Sequence, residues 1–301
     1  MFDSLFGWIE EMWSFAFMRR AFVATTVLSV SVAPVGAFLV LRRLSLAGEA
    51  MAHAITPGIV IAFVGYGLSV VSLLVGGLAA GVLVAVLTSL VSRVTILRTD
   101  ASLASLYLIA LALGIFILSA AGSAVPLKSF LFGSILGIDD ETMILIGGVA
   151  TFTLISFALL IRPLIVSTLD PTFFEAQSRN PVLVEQLFML LVVLNLLAAF
   201  KTLGTLMAVG LMILPATAAR YWSSTITGQL FVGFLFALAS CWIGLAVSFL
   251  APETPSGPSI VLVAGVIFLL SVVFSPLGLR ARGRGGSGAV PTTTTEGGLK
   301  E

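Results

Sequence analysis

The sequence predicts an all-α polytopic membrane protein with about nine transmembrane helices, its N-terminus outside and its C-terminus cytoplasmic. Three observations lead there. Only 10% of the 301 residues are charged while 59% are hydrophobic, and the mean hydropathy is +1.17; a soluble domain of this length would be roughly one quarter charged. Apolar runs of about 20 residues, the length that crosses a bilayer core, recur along the chain. The basic residues, finally, are shared unequally between alternate loops.

The first element, residues 1–20, reads as an amphipathic segment lying at the membrane surface, because Phe2, Phe6, Trp8, Trp13, Phe15 and Phe17 interleave with Asp3, Glu10 and Glu11. It is not a secretory leader, since acids stand where the basic region should be and the arginines follow the apolar stretch. Nine apolar runs then follow, at about 21–41, 44–65, 69–92, 101–121, 142–161, 185–200, 203–220, 228–250 and 258–277, making a transmembrane domain over 21–278. With the loop after the first span placed inside, Arg42, Arg43, Arg93, Arg98, Arg162, Arg179, Arg220, Arg280, Arg282, Arg284 and Lys300 are cytoplasmic. Only Arg19, Arg20, Lys128 and Lys201 are then outside, which is the bias that fixes orientation. Residues 279–301 are basic and then Gly/Thr-rich, and read as a disordered cytoplasmic tail.

Two connections carry more than a turn. Residues 122–141 are apolar in the middle, and Lys128–Gly137 reads as a short outside helix whose Phe130 and Phe132 are candidates for an extracellular gate. Residues 162–184 form the longest cytoplasmic loop. Asp170 before Pro171 fits an N-cap followed by proline in the first helical turn, opening a short helix that carries Phe173, Phe174 and Glu175 and stops near Asn180-Pro181. Exposed aromatics on such a helix suit docking against another protein; the plainer reading is a surface helix tucked under the bundle.

The chemistry concentrates in GEAMAHAITPG, residues 48–58, which holds the one histidine of the chain. An ionisable group at mid-membrane costs at least about 2.5 kcal/mol, so Glu49 and His53 are functional candidates. Spaced i and i+4 they share a helix face. Pro57 withholds the amide that would bond the His53 carbonyl, so a kink and an open oxygen are expected beside the imidazole. Carboxylate with imidazole suits zinc, manganese or iron(II) better than magnesium. A proton relay and a structural hydrogen-bonded couple fit the spacing as well. Two ligands are too few for a closed metal site, which takes about four; a dimer, or water and carbonyls, would complete the shell. Asn195 and the helix-kinking Pro215 are candidates for lining a pathway, although a buried asparagine is more often glue between helices. Gly77 and Gly81 read as a close helix approach, and Met51 and Cys241 as packing. One cysteine excludes an intrachain disulfide, and a net charge of +1 gives no reason to expect nucleic acid. No glycine precedes a lysine, so there is no phosphate-binding loop for ATP, and no HExxH or GxSxG pattern. An intramembrane hydrolase is therefore not expected.

Four stretches resemble the permease subunits of ABC-type importers of zinc, manganese and iron ions: LVLRRLSLAGEAMAHAITPGIVIAF (39–63), SFLFGSILGI (129–138), LDPTFFEAQSRNPVLVEQL (169–187) and TLGTLMAVGLMILPATAAR (202–220). The sequence departs twice from that family, with Glu49 in place of its usual aspartate and no glycine within AQSRN, 176–180. The resemblance implies a bacterial plasma-membrane permease that binds no permanent cofactor and passes Zn2+ or Mn2+ along Glu49 and His53. Its implied partners are a second permease copy or close paralogue, separate cytoplasmic ATP-binding subunits docked on Asp170, Phe173, Phe174 and Glu175, and an extracytoplasmic metal-binding protein. The rival expectation from the residues alone is a proton-coupled secondary transporter using the same pair.

Overall fold

The computed structural model describes residues 12–67, 69–120, 137–178, 180–251 and 254–276. Phe130, Phe132, most of the 1–20 segment and the tail lie outside them. The described residues form only helices: α1 (Ala16–Leu41), α2 (Ser45–Ala54), α3 (Thr56–Tyr66), α4 (Val70–Val94), α5 (Thr99–Ala120), α6 (Asp140–Leu169), α7 (Pro171–Gln177), α8 (Pro181–Leu203), α9 (Thr205–Ala219), α10 (Ile226–Leu250) and α11 (Ser256–Phe274). Eight segments are long and apolar enough to cross a membrane, with α2 and α3 together making one of them. The fifteen-residue α9 occupies the seventh of the nine expected places.

Burial separates a centre from a rim. In α1 72% of the most apolar window is covered by the rest of the chain, and in α2–α3 and α8 56%, against 22–33% in α4, α5, α6, α10 and α11. The rim helices therefore keep apolar faces for lipid, and large side chains such as Phe116, Ile144, Leu159 and Leu262 stand exposed on them. At the centre, α1 packs on α6, α8, α9 and α10, while α2 to α5 form the flank beyond α8. The Phe38 ring, fully buried, meets Phe157 at 5.5 Å and Phe188 at 6.5 Å, joining α1, α6 and α8.

Small residues set how closely helices approach. A Cβ on Gly58 would lie 2.0 Å from the Gly76 carbonyl oxygen, and one on Gly76 would lie 2.4 Å from that of Gly58, so α3 and α4 cross with backbones nearly touching. Gly77 and Gly81 receive Leu197 and Val193 of α8, as the sequence reading expected of them. Gly204, at φ +88°, supplies the left-handed residue that separates α8 from α9.

Several boundaries differ from the sequence reading. The second span is two helices, broken at Ile55. The first begins at Ala16, so Arg19 and Arg20 ride on α1 rather than in a surface segment. The fifth does not stop at 161: α6 runs through Arg162-Pro163 to Leu169, because Leu164 continues the apolar face and is fully buried. At 1.5 Å per residue its 30 residues span about 45 Å, longer than a bilayer core. The short helix that follows ends at Gln177 rather than near Asn180.

The crossing of α3 and α4 makes a direct test. Gly58→Val places a side chain on a carbonyl and should lower the melting temperature in detergent by several degrees, overpacking of this kind costing about 1–3 kcal/mol. Gly148→Ala, with no atom within 4 Å of the added methyl, should leave it unchanged. Equal melting of the two variants would contradict the crossing.

Candidate functional site

The chain enters α2 through a tight turn. The Leu44 amide donates to the Leu39 carbonyl at 2.8 Å and the Arg43 amide to that of Val40 at 3.2 Å, the paired bonds of a Schellman ending. The left-handed position, normally glycine, is held by Arg43 at φ 60°. With no slack in this turn, α2 starts at Ser45 and carries both Glu49 and His53 in one unbroken helix.

The inner face of α2 is Ala47, Gly48, Ala50, Met51, Ala52 and Ala54, all buried against the bundle. Glu49 is exposed, His53 half-buried and Leu46 77% exposed. The two candidate ligands thus stand one turn apart, Glu49 open and His53 partly covered by this chain. Tyr107 of α5 stacks on the imidazole, with ring centroids 6.1 Å apart and planes 28° apart. Among the described residues no third His, Cys, Asp or Glu joins them in a metal-sized cluster. One chain therefore offers two donors toward a shell of about four.

Pro57 does not kink a continuous helix; it sits in the first turn of α3, where its missing amide costs nothing. The Ile55 amide bonds the Met51 carbonyl at 3.2 Å, and the expected kink takes the form of a break between two helices at Ile55. Gly114 of α5 makes room for the ring, since a Cβ there would lie 3.1 Å from the Pro57 nitrogen. Pro215, buried within α9, stands on a helix that faces α2, with Ile213 and Val209 nearest Gly48. Asn195 is sealed in the core: its Nδ2 donates to Thr153 Oγ1 at 2.8 Å and to the Leu191 carbonyl at 2.9 Å. That is a bond between α6 and α8, and the structure does not bring Asn195 together with Glu49 and His53.

At the end of the bundle bearing Arg42 and Arg43, Asp170 caps α7 as read from the sequence. Its carboxylate accepts from the Phe173 amide at 2.9 Å and the Thr172 hydroxyl at 2.7 Å. These bonds, the amide foremost, hold its pKa below the usual carboxylate range. Phe173 is 55% exposed, whereas Phe174, half-buried, and Glu175, itself exposed, both line a cavity of about 560 Å³ with Arg42, Arg93, Thr168 and Glu185. Arg93 pairs with Glu185 at 3.6 Å.

Arg42, which the sequence showed only as a marker of orientation, is engaged on three sides. Its Nη2 donates to Ser167 Oγ and its Nε to Thr168 Oγ1 on α6, and the guanidinium lies 4.8 Å from the centre of the Phe188 ring. Neither this contact nor that of Tyr107 with His53 had a local signal, because the partners lie far away in sequence. At the opposite end of the bundle Arg20 pairs with Asp140 at 2.9 Å and Lys201 with Asp139 at 3.5 Å. Asp139 also caps α6 through Thr142, whose hydroxyl is the main reason its carboxyl stays ionised to lower pH than usual.

Comparison with known proteins places this geometry. The chain is 30% identical to the manganese transport system membrane protein MntC of Halalkalibacterium halodurans, over 91% of this chain and 92% of that one. It is also 30% identical to the manganese import system permease protein ScaB of Streptococcus parasanguinis, over 89% and 94% respectively. Among solved structures it matches PsaBC from Streptococcus pneumoniae in complex with Fab, with a TM-score of 0.81 and 26% identity over 93% of this chain and 99% of that one. The model of the ABC 3 transport family matches residues 14–275, and the chain is a multi-pass membrane protein belonging to that family.

Proposed function

We propose that this chain is the membrane-spanning permease of an ATP-driven importer of a divalent transition metal ion, with manganese(II) as the first candidate. The observation that carries the reading is the Glu49–His53 pair: two metal-compatible donors one turn apart on α2, the carboxylate exposed and the imidazole half-buried. The names of the relatives favour manganese over zinc and iron. A second copy or close paralogue supplies the missing donors opposite this pair, and the ion passes between the two pairs. A carboxylate with imidazole, rather than thiolate, suits an ion as hard as manganese(II).

The chain itself hydrolyses nothing in this reading. A separate ATP-binding subunit docks on α7 through Phe173 and Glu175, with Asp170 holding the helix start, and a metal-binding protein delivers the ion at the opposite end. The arginine-rich end is cytoplasmic, in keeping with the excess of Arg and Lys there. At the other end Arg20 and Lys201 are neutralised by Asp140 and Asp139, so the net positive charge left over is more one-sided than the raw count.

Two experiments test it. In cells lacking other manganese uptake, His53→Ala and Glu49→Ala should each lower uptake of the radioactive ion at least tenfold at unchanged membrane abundance; uptake at the normal level in both would end the reading. In the reconstituted complex, Glu175→Lys should sever ATP hydrolysis from transport. Asp170→Ala should weaken coupling by fraying α7. Because the Asp170 pKa is depressed, its cap is fully present above about pH 5 and is lost only as pH falls through the lowered value. The docking defect of Asp170→Ala should therefore be constant between about pH 5 and 8. A defect that titrates away near neutrality would contradict the cap.

A further inference from the structure

The turn between α1 and α2 is held from two sides by arginines. Arg220, at the end of α9, donates from Nη1 to the Val40 carbonyl at 3.4 Å. Arg42 reaches the other way, to the two hydroxyls that end α6. Those hydroxyls are themselves tied to the helix, since Ser167 and Thr168 each donate to the Leu164 carbonyl, at 3.1 and 2.6 Å. Two residues beyond Thr168, Asp170 ends α6 with its amide still bonded to the Val166 carbonyl at 2.9 Å, and begins α7 with its side chain. α7 is thus joined to the guanidinium through the last turn of α6, and the guanidinium to α2 through the Arg42 side chain and the turn at residues 42–44.

We propose that Arg42 is a positioning residue that passes movement of α7 to α2, and so to Glu49 and His53. The inference rests on the proposed function, in which α7 meets the ATPase and the Glu49–His53 pair meets the ion. Arg42 has no carboxylate within ion-pair distance among the described residues; its partners are two hydroxyls and an aromatic face on α6 and α8. Such partners hold a planar guanidinium in one orientation, with an Nη edge, the Nε edge and one face all used. A lysine offers one point of attachment and cannot copy the arrangement. The other cytoplasmic-end pair, Arg93 with Glu185, joins α4 to α8 and touches neither α6 nor α2. Of these arginines, only Arg42 links the helix that leads into α7 with the turn that launches α2.

The mechanical consequence follows from the Schellman turn. Its two backbone bonds fix α2 relative to the end of α1, so a displacement of the guanidinium by α6 tilts α2 as a unit. Glu49, one turn into α2, and His53, two turns in, then move together rather than separately.

The test uses the complete complex in proteoliposomes with its ATPase subunits, the metal-binding protein and manganese(II), reading ATP hydrolysed per ion moved. Arg42→Met should keep basal ATP hydrolysis within about twofold of the unaltered complex while raising ATP consumed per ion at least tenfold. Arg42→Lys should restore only part of the loss. Ser167→Ala combined with Thr168→Val, which leaves the arginine in place and avoids burying a bare cavity, should shift the ratio in the same direction. Adding Arg42→Met to that pair should change it little further, as expected of partners in one linkage. If Arg42→Met lowers transport and hydrolysis in equal proportion, or if the two sets of changes multiply, the linkage is overturned. His53→Ala in the same preparation separates this outcome from failure of the underlying reading: unchanged transport there overturns the metal path itself, while lost transport with an unaltered Arg42→Met ratio overturns the linkage alone.

Discussion

A hydrocarbon interior contains no water, so each polar group on a spanning helix must find its partner in the protein. Most of this chain obeys that constraint by turning hydroxyls back on the helix that carries them. Thr25, Thr26, Ser29 and Ser31 on α1, Thr217 on α9, Ser240 on α10 and Ser271 on α11 all donate to carbonyls one turn earlier. A few reach across: Asn195 to Thr153, Trp242 to Thr26, Trp222 to Ser271. Buried oxygens of Thr88, Asn195, Gln229 and Ser275 are left without a partner among the described residues, and Glu49 differs from them in being an ionisable group, exposed, with neither a hydrogen bond nor an ion pair among those residues. A group left unanswered by its own chain is answered by something else, and that asymmetry gives the Glu49–His53 pair its weight.

The parts of the structure legible in the sequence were those set by composition and short spacing. Apolar runs placed the spans, and Asp170-Pro171 placed the start of α7, because an N-cap is a local bond between residues three apart. Gly77 and Gly81 declared a close approach because small residues at helical spacing have few other uses in lipid. The joint face of Glu49 and His53 followed from the 3.6-residue period alone. What could not be read depends on partners distant in the chain. Arg42 sits 125 residues from Ser167, and a basic residue after an apolar run reads first as a topology signal. Arg162-Pro163 looked like the exit of a span, yet burial of Leu164 kept α6 helical through both. Pro57 was visible, but whether it kinks a helix or heads a new one depended on the turn geometry at Ile55.

Close backbone contact and open polar faces divide the labour within the bundle. The aromatic junction of Phe38, Phe157 and Phe188 is a densely packed, buried part of the bundle, while the glycine crossing of α3 and α4 borders an apolar cavity of about 630 Å³. The arginine-rich end is built differently, from long side chains, hydroxyls and a cavity, where small rearrangements cost less. Tight aromatic packing thus stands beside an end built from longer, more adaptable side chains within one bundle.

Arg43 adds a constraint of another kind. A side chain at a left-handed position costs roughly 1 kcal/mol more than glycine would, so the turn keeps its shape against the local preference of the residue at its crest. One residue inserted there would break the register of the bonds from the Leu44 amide to Leu39 and from the Arg43 amide to Val40, and so re-aim the helix that follows. The depth and bearing of the Glu49 carboxylate are thus inherited from a three-residue connection, Arg42 to Leu44, whose length constrains the site as firmly as the arginine within it.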